Sequence, residues 1–129
     1  MDDYKQIELL VNNYIKAISS QDKDDFMNLW TGKNNTLISV INKYEGLENI
    51  YQDFLIGSIQ KNYAKIDLIA QDLEIKFITN ELALVIFEYR TECIKRDSNE
   101  EYGIHGLETQ VIQKINGHWK IVHLHYSKE

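Results

Sequence analysis

"ETQVIQKINGHWKIVHLHYS", residues 108–127, carries the plainest structural signal in the chain. Two alternating apolar runs flank Asn116-Gly117, a pair suited to the left-handed backbone of a two-residue hairpin turn. In that turn Ile115 faces His118. Counted back without interruption, Val111 meets Val122, Thr109 meets Leu124 and Leu107 meets Tyr126 on one face. The other face pairs Gln110 with His123, Glu108 with His125 and Ile112 with Ile121. A three-residue loop with Gly117 in the left-handed region slips the register by one and exchanges the faces. Gln110 then shares a face with Tyr126, but Ile112 opposes Lys120. The hydrophobic pattern favours the first register near the turn. A bulge farther along the strand would combine the two.

Upstream, "KIDLIAQDLEIKFIT", "ELALVIFEYRTECIKR" and "IHGLETQVIQKI" also alternate with a period near two, so strands run from Ala64 onward. "TNEL" and "RDSNEEYG" separate them as turns. The N-terminal half has a different period. In residues 3–18, Ile7, Leu10, Val11, Tyr14, Ile15 and Ile18 recur at steps of three and four, one face of a helix. Asp22 or Ser20 can cap a second, shorter helix through Trp30, ended by Gly32. "TLISVI", 36–41, is a short strand that "NKYEG" breaks. Leu47, Ile50, Tyr51, Phe54, Leu55 and Ile59 mark a third helix, from Leu47 to about Tyr63. Helices first and antiparallel strands after make an α+β layout, with helices on one face of a curved sheet. Neither repeat nor linker interrupts it, so residues 1–129 form one domain.

Composition narrows the function classes. A net charge of -6 and scattered lysines argue against a nucleic-acid surface. No apolar run is long enough to span a membrane. "MDDYKQ" is the opposite of a signal peptide's basic, apolar start, and Cys93 is alone, which together point to a reducing, cytoplasmic setting.

The order of elements and the ending "NGHWKIVHLHYS" resemble the nuclear transport factor 2-like superfamily, whose common bacterial form is SnoaL-like. Within it the chain most resembles the association (hub) domain of calcium/calmodulin-dependent protein kinase II. The resembling pieces are "IELLVNNYIKAISSQD", "EGLENIYQDF", "VIFEYRTECI" and the closing hairpin, which together span nearly the whole chain. The resemblance implies a cone-shaped, cystatin-like roll: about three N-terminal helices on a strongly bent, mostly antiparallel sheet, with a pocket between them. It implies a homodimer or larger homo-oligomer. It allows either a binding and assembly module or a small-molecule isomerase, cyclase or dehydratase. The hub pocket is lined by three arginines. The first falls on Arg90, while Gln110 and Tyr126 stand at the other two, so two positive charges are missing. A pocket histidine and tryptophan of that family fall on Ile50 and Ser58. The resemblance also favours the slipped register near the pocket.

The residues that could carry chemistry follow. His123 and His125 give a metal site only with a third ligand from His105, Glu108 or Cys93, so no metal or cofactor is expected. Glu108 and His125 are the candidate acid–base pair, if both are open to one cavity. In the structural alternative the histidines satisfy buried hydrogen bonds or line a subunit interface. Arg90 shares a strand face with Leu84, Ile86 and Glu88. It is either a pocket anchor for a carboxylate or carbonyl ligand, or half of an ion pair with Glu88 or Glu108. Tyr14 lies on the helix face that should meet the sheet. The ligand-binding set expected for a small organic molecule, such as a carboxylate, is therefore Arg90, Gln110, Tyr126, Glu88 and Tyr14. Cys93 sits mid-strand, where a small buried residue is expected. There is no calcium loop, phosphate loop or nucleophile elbow.

Overall fold

The computed structural model describes residues 2–129. Helix α1 spans Asp3–Ser20. The Asp2 side chain accepts from Lys5 N at its start, and Gln21 turns left-handed (φ 60°) to end it. Its buried residues are Ile7, Leu10, Val11, Tyr14, Ala17 and Ile18. Helix α2, Lys23–Met27, is capped by Asp22, whose side chain accepts from Asp25 N. It stops one turn earlier than the periodicity predicts. The residues after it instead run beside the last strand, where Trp30 bridges Ile121 in parallel.

The third helix differs in kind. One α-turn, α3 at Leu47–Asn49, runs into a π-helix at Ile50–Gln60. Its buried residues Ile50, Phe54, Leu55 and Ile59 step by four and five. That spacing suits the wider i→i+5 turn better than an α-helix.

Seven strands form one sheet: β1 Thr36–Ile38, β2 Lys43–Glu45, β3 Tyr63–Thr79, β4 Leu82–Lys95, β5 Glu101–Tyr102, β6 His105–Ile115 and β7 His118–Tyr126. The order is β2-β1-β7-β6-β4-β3, with β5 pairing β4. Only the β1–β7 contact between named strands is parallel. Two strands lie where the sequence pattern places breaks: β2 within "NKYEG" and β5 within "RDSNEEYG". Both are too short to show periodicity and owe their pairing to a longer neighbour. The sheet bends through irregularities in β3, including one between Gln71 and Glu74 at left-handed Asp72 (φ 56°). The helices lie in its concave side, so the layout is α+β with helices against a strongly curled half-barrel.

The final hairpin combines both of its sequence registers. Asn116 (φ 51°) and Gly117 (φ 80°) form the two-residue turn, and Ile115 pairs with His118. Pairing runs regularly to Ile112–Ile121, then shifts, so Val111 meets His123 and Glu108 meets Tyr126. The bulge lets Ile121 and Leu124, three residues apart, both be fully buried. Buried Asn35 holds this irregular backbone. Its Nδ2 donates to the carbonyls of Ile121 (3.2 Å) and Val122 (3.1 Å) and to Thr31 Oγ1 (2.8 Å). Its Oδ1 accepts from Gly32 N at 2.9 Å. Replacing Asn35 by Ala strands a backbone donor and weakens the hold on two carbonyls. The expected loss is about 2 kcal/mol of unfolding free energy, read by urea denaturation.

Candidate functional site

The concave side is not completely filled. A cavity of about 100 Å³ lies between α1, the π-helix and the bend of the sheet. Tyr14 and Ile18 border it from α1, Phe54, Ser58 and Ile59 from the π-helix, and Tyr63, Ile66 and Leu68 from β3. Tyr89, Thr91 and Cys93 of β4, Ile104, Glu108 of β6 and Tyr126 of β7 complete the wall. Most of this lining is aliphatic or aromatic. Tyr126 touches Phe54 (centroids 6.2 Å apart) and Tyr89 (5.7 Å), so one side is an aromatic cluster.

Strand parity puts Glu108 inside. It pairs with Tyr126 across the hairpin and with Phe87 across β4, and all three side chains point into the cone. Glu108 is 2 % exposed, and among the described residues no lysine, arginine or histidine lines the cavity with it. Its Oε2 accepts from Gln110 Nε2 at 2.8 Å, while its Oε1 has no hydrogen-bond partner among the described residues. Burial outweighs that bond and raises its pKa from 4.5 to about 8. At neutral pH Glu108 is therefore mostly a neutral acid, able to donate one hydrogen bond.

The tyrosines share this environment. Burial, then Glu108 and Tyr126, pushes the Tyr14 phenol well above its ordinary value. Burial likewise raises Tyr126, with Tyr89 and Glu108 contributing, and takes Tyr89 to about 12. Tyr89 donates its hydroxyl to the Ser127 carbonyl at 2.6 Å. The hydroxyls of Tyr14 and Tyr126 have no hydrogen-bond partner among the described residues. Cys93 stays a thiol, its pKa raised chiefly by burial.

Of the residues singled out from the sequence, the structure brings Tyr14, Glu108 and Tyr126 together at the cavity. Gln110 is fully buried but lies behind Glu108, and does not line the cavity. Arg90 is a correction. Tyr89 takes the inward position, so Arg90 points from the convex face, about half exposed, and pairs with Glu92 rather than Glu88 or Glu108. Glu88 is also on the convex face, exposed, and its pKa is raised by Asp72 beside it. His125 is a second correction. It pairs with Thr109 and faces away from Glu108, so the expected acid–base pair is not formed. His123 bonds Thr36 through Nδ1, and burial lowers its pKa. Among the described residues no group of three or more His, Cys, Asp or Glu is placed to hold a metal. Tyr89, Tyr63 and Phe54 were missed as cavity residues. For Tyr89 the available signal was its parity with Val85 and Phe87.

The desolvated acid sets a pH dependence of stability. Between about pH 4.5 and pH 8 the unfolded chain releases the Glu108 proton and the folded chain keeps it. Stability from this group is thus full below that window and falls as pH rises through it. The upper bound of the loss is on the order of 5 kcal/mol. Glu108→Gln should abolish this slope and leave the variant more stable than the parent at pH 9, measured by denaturant titration across pH.

Among the described residues no helix is long and apolar enough to cross a membrane. No curated protein matches the sequence significantly. Solved structures match the fold closely. A nuclear transport factor 2-like superfamily protein from Salmonella enterica serovar Typhimurium superposes with a TM-score of 0.91 at 25% identity, over 96% of this chain and 89% of that one. Hexachlorocyclohexane dehydrochlorinase from Novosphingobium barchaimii gives 0.87 at 14% identity, over 98% and 86%. A calcium/calmodulin dependent protein kinase II association-domain protein from Xanthomonas campestris gives 0.83 at 14%, over 100% and 89%. At 14% the likeness is one of fold alone. A family model, the SnoaL-like domain, matches residues 7–128, and with the cone and its cavity this places the chain in the SnoaL-like family of the nuclear transport factor 2-like fold.

Proposed function

We propose that this domain binds a small, uncharged organic molecule that presents a hydrogen-bond acceptor, such as a carbonyl, to Glu108, Tyr14 and Tyr126. One observation supports it: at one mostly apolar cavity, Oε1 of the buried Glu108 and the hydroxyls of Tyr14 and Tyr126 have no hydrogen-bond partner among the described residues. Polar atoms left open toward an apolar cavity favour an occupant that pairs with them. With no cation in the lining, the site suits a neutral ligand better than the carboxylate expected from Arg90. At about 100 Å³ it holds no more than one small ring unless its walls move. A larger ligand would have to displace Phe54 or Ile59 on the π-helix.

An enzymatic role, as isomerase, cyclase or dehydratase, rests on a narrower observation. The pKa of Glu108, about 8, is close to that of an efficient general acid at neutral pH. With His125 on the other face, Glu108 would have to give and take the proton alone, which favours binding over catalysis here.

The convex face supports assembly. Leu84, Ile86, Val111 and Val122 are only half-buried there, and Leu107 is 48% exposed. We propose that a second copy covers this face as a homodimer. A dimer at micromolar concentration is the expected result in sedimentation, with Ile86→Lys monomeric; a monomeric parent refutes it.

The ligand proposal is tested with cyclopentanone, using cyclopentane as the hydrocarbon control. Tyr14→Phe or Tyr126→Phe should weaken cyclopentanone about fivefold and leave cyclopentane unchanged, read by NMR titration. Equal affinity of both probes for parent and variants would remove the donor-lined site.

A further inference from the structure

Behind the cavity, Gln110 is fully buried and meets Glu108 with its amide nitrogen. Its Oε1 is one of two buried side-chain polar atoms without a partner among the described residues, the other being Trp30 Nε1. In the observed orientation one N–H of Nε2 meets Glu108 Oε2, and Oε1 points away from that carboxyl without a partner.

That orientation has a chemical consequence. A neutral carboxylic acid has one carbonyl oxygen, a good acceptor, and one hydroxyl oxygen, a donor. Because Oε2 accepts from Gln110, it is the carbonyl oxygen. The proton is then on Oε1, the oxygen without a partner. We propose that Gln110 is a positioning residue that fixes the acidic proton of Glu108 on Oε1, and thereby offers the cavity a hydrogen-bond donor beside the Tyr14 and Tyr126 hydroxyls. Its second half rests on the ligand reading above; its first half does not.

The groups facing Glu108 are few. Tyr14 comes from α1, Tyr63 from β3, Tyr89 and Cys93 from β4, and Tyr126 from β7, while the π-helix supplies only Phe54, Ser58 and Ile59. All the titratable ones have pKa values raised by burial, so none competes for the proton near neutrality. Among the described residues Gln110 is the only side chain hydrogen-bonded to Glu108.

The test follows the Glu108 carboxyl by ¹³C NMR, its resonance identified by its loss in Glu108→Gln. In Gln110→Met the ionised carboxylate loses its N–H donor, so the titration midpoint should rise by about one pH unit. An unchanged or lower midpoint overturns the role of Gln110. Should Gln110→Met not fold, the parent protein decides: one Gln110 side-chain N–H should exchange slowly and move as Glu108 titrates. A rapidly exchanging or pH-invariant signal overturns it. For the ligand half, Gln110→Met should weaken cyclopentanone about fivefold and spare cyclopentane. If cyclopentanone does not bind the parent, the ligand reading fails and takes the ligand half with it, while the titration still decides the role of Gln110.

Discussion

The bulge between Ile112–Ile121 and Val111–His123 is the constraint on which the site depends. Strand side chains alternate, so one extra residue exchanges the faces of everything beyond it. On the turn side of the bulge, Ile121 and Ile112 point into the core. Beyond it Leu124 and Tyr126 point inward beside Gln110 and Glu108, and His123 and His125 point outward. Without the extra residue, continuous pairing would set Glu108 opposite His125 on one face. The hydrogen bonds that hold the bulge come from Asn35, 86 and 87 positions away in the chain. A buried amide between two elements thus decides which chemistry enters the cone.

That distance explains what could and could not be read from the sequence. The Asn116-Gly117 turn, the helical face of α1 and the α+β order are local patterns, and each was legible. The bulge was legible only as an option, because nothing near Val122 announces it and its support comes from Asn35. Tyr14, Glu108 and Tyr126 could be named as candidates, but their convergence is a product of the fold. His125 was misplaced because of the bulge, and Arg90 and Glu88 for a different reason. Both faces of β4 are apolar, Ala83, Val85 and Phe87 on one and Leu84 and Ile86 on the other, so parity is visible but its sense is not. The π-helix was hidden similarly: its apolar steps of four and five fall close enough to α-helical spacing to pass as one.

Burying an acid in an aromatic cone works against stability, and the balance is visible around Glu108. Phe87, Val85, Ile112 and Leu124 exclude water on the sheet, and Tyr14 covers it from α1. A carboxylate there would be severely desolvated, so the folded chain keeps the proton to higher pH. Gln110 offsets part of the cost, since its amide lowers the pKa that burial raises. Complete packing would place an aliphatic residue at this position and close the remaining space. The structure instead keeps an acid, two open hydroxyls and a void in one place, a local conflict with stability of the kind binding sites contain.

The two faces of the sheet divide the work. Tyr89 and Arg90 are neighbours in β4, yet one borders the cavity and the other stands outside beside Glu92. The apolar convex surface around Leu84 and Ile86 can therefore be covered without filling the cavity behind it. The separation is not complete, because the backbone of β4 is common to both. A partner held against Ile86 would stiffen the strand that positions Phe87 and Tyr89, and these bear on Glu108 and Tyr126. The proposed assembly and the proposed ligand binding are thus alternatives neither physically nor in sequence. A strand with two apolar faces can serve both, and that same property hid its inner face from the sequence.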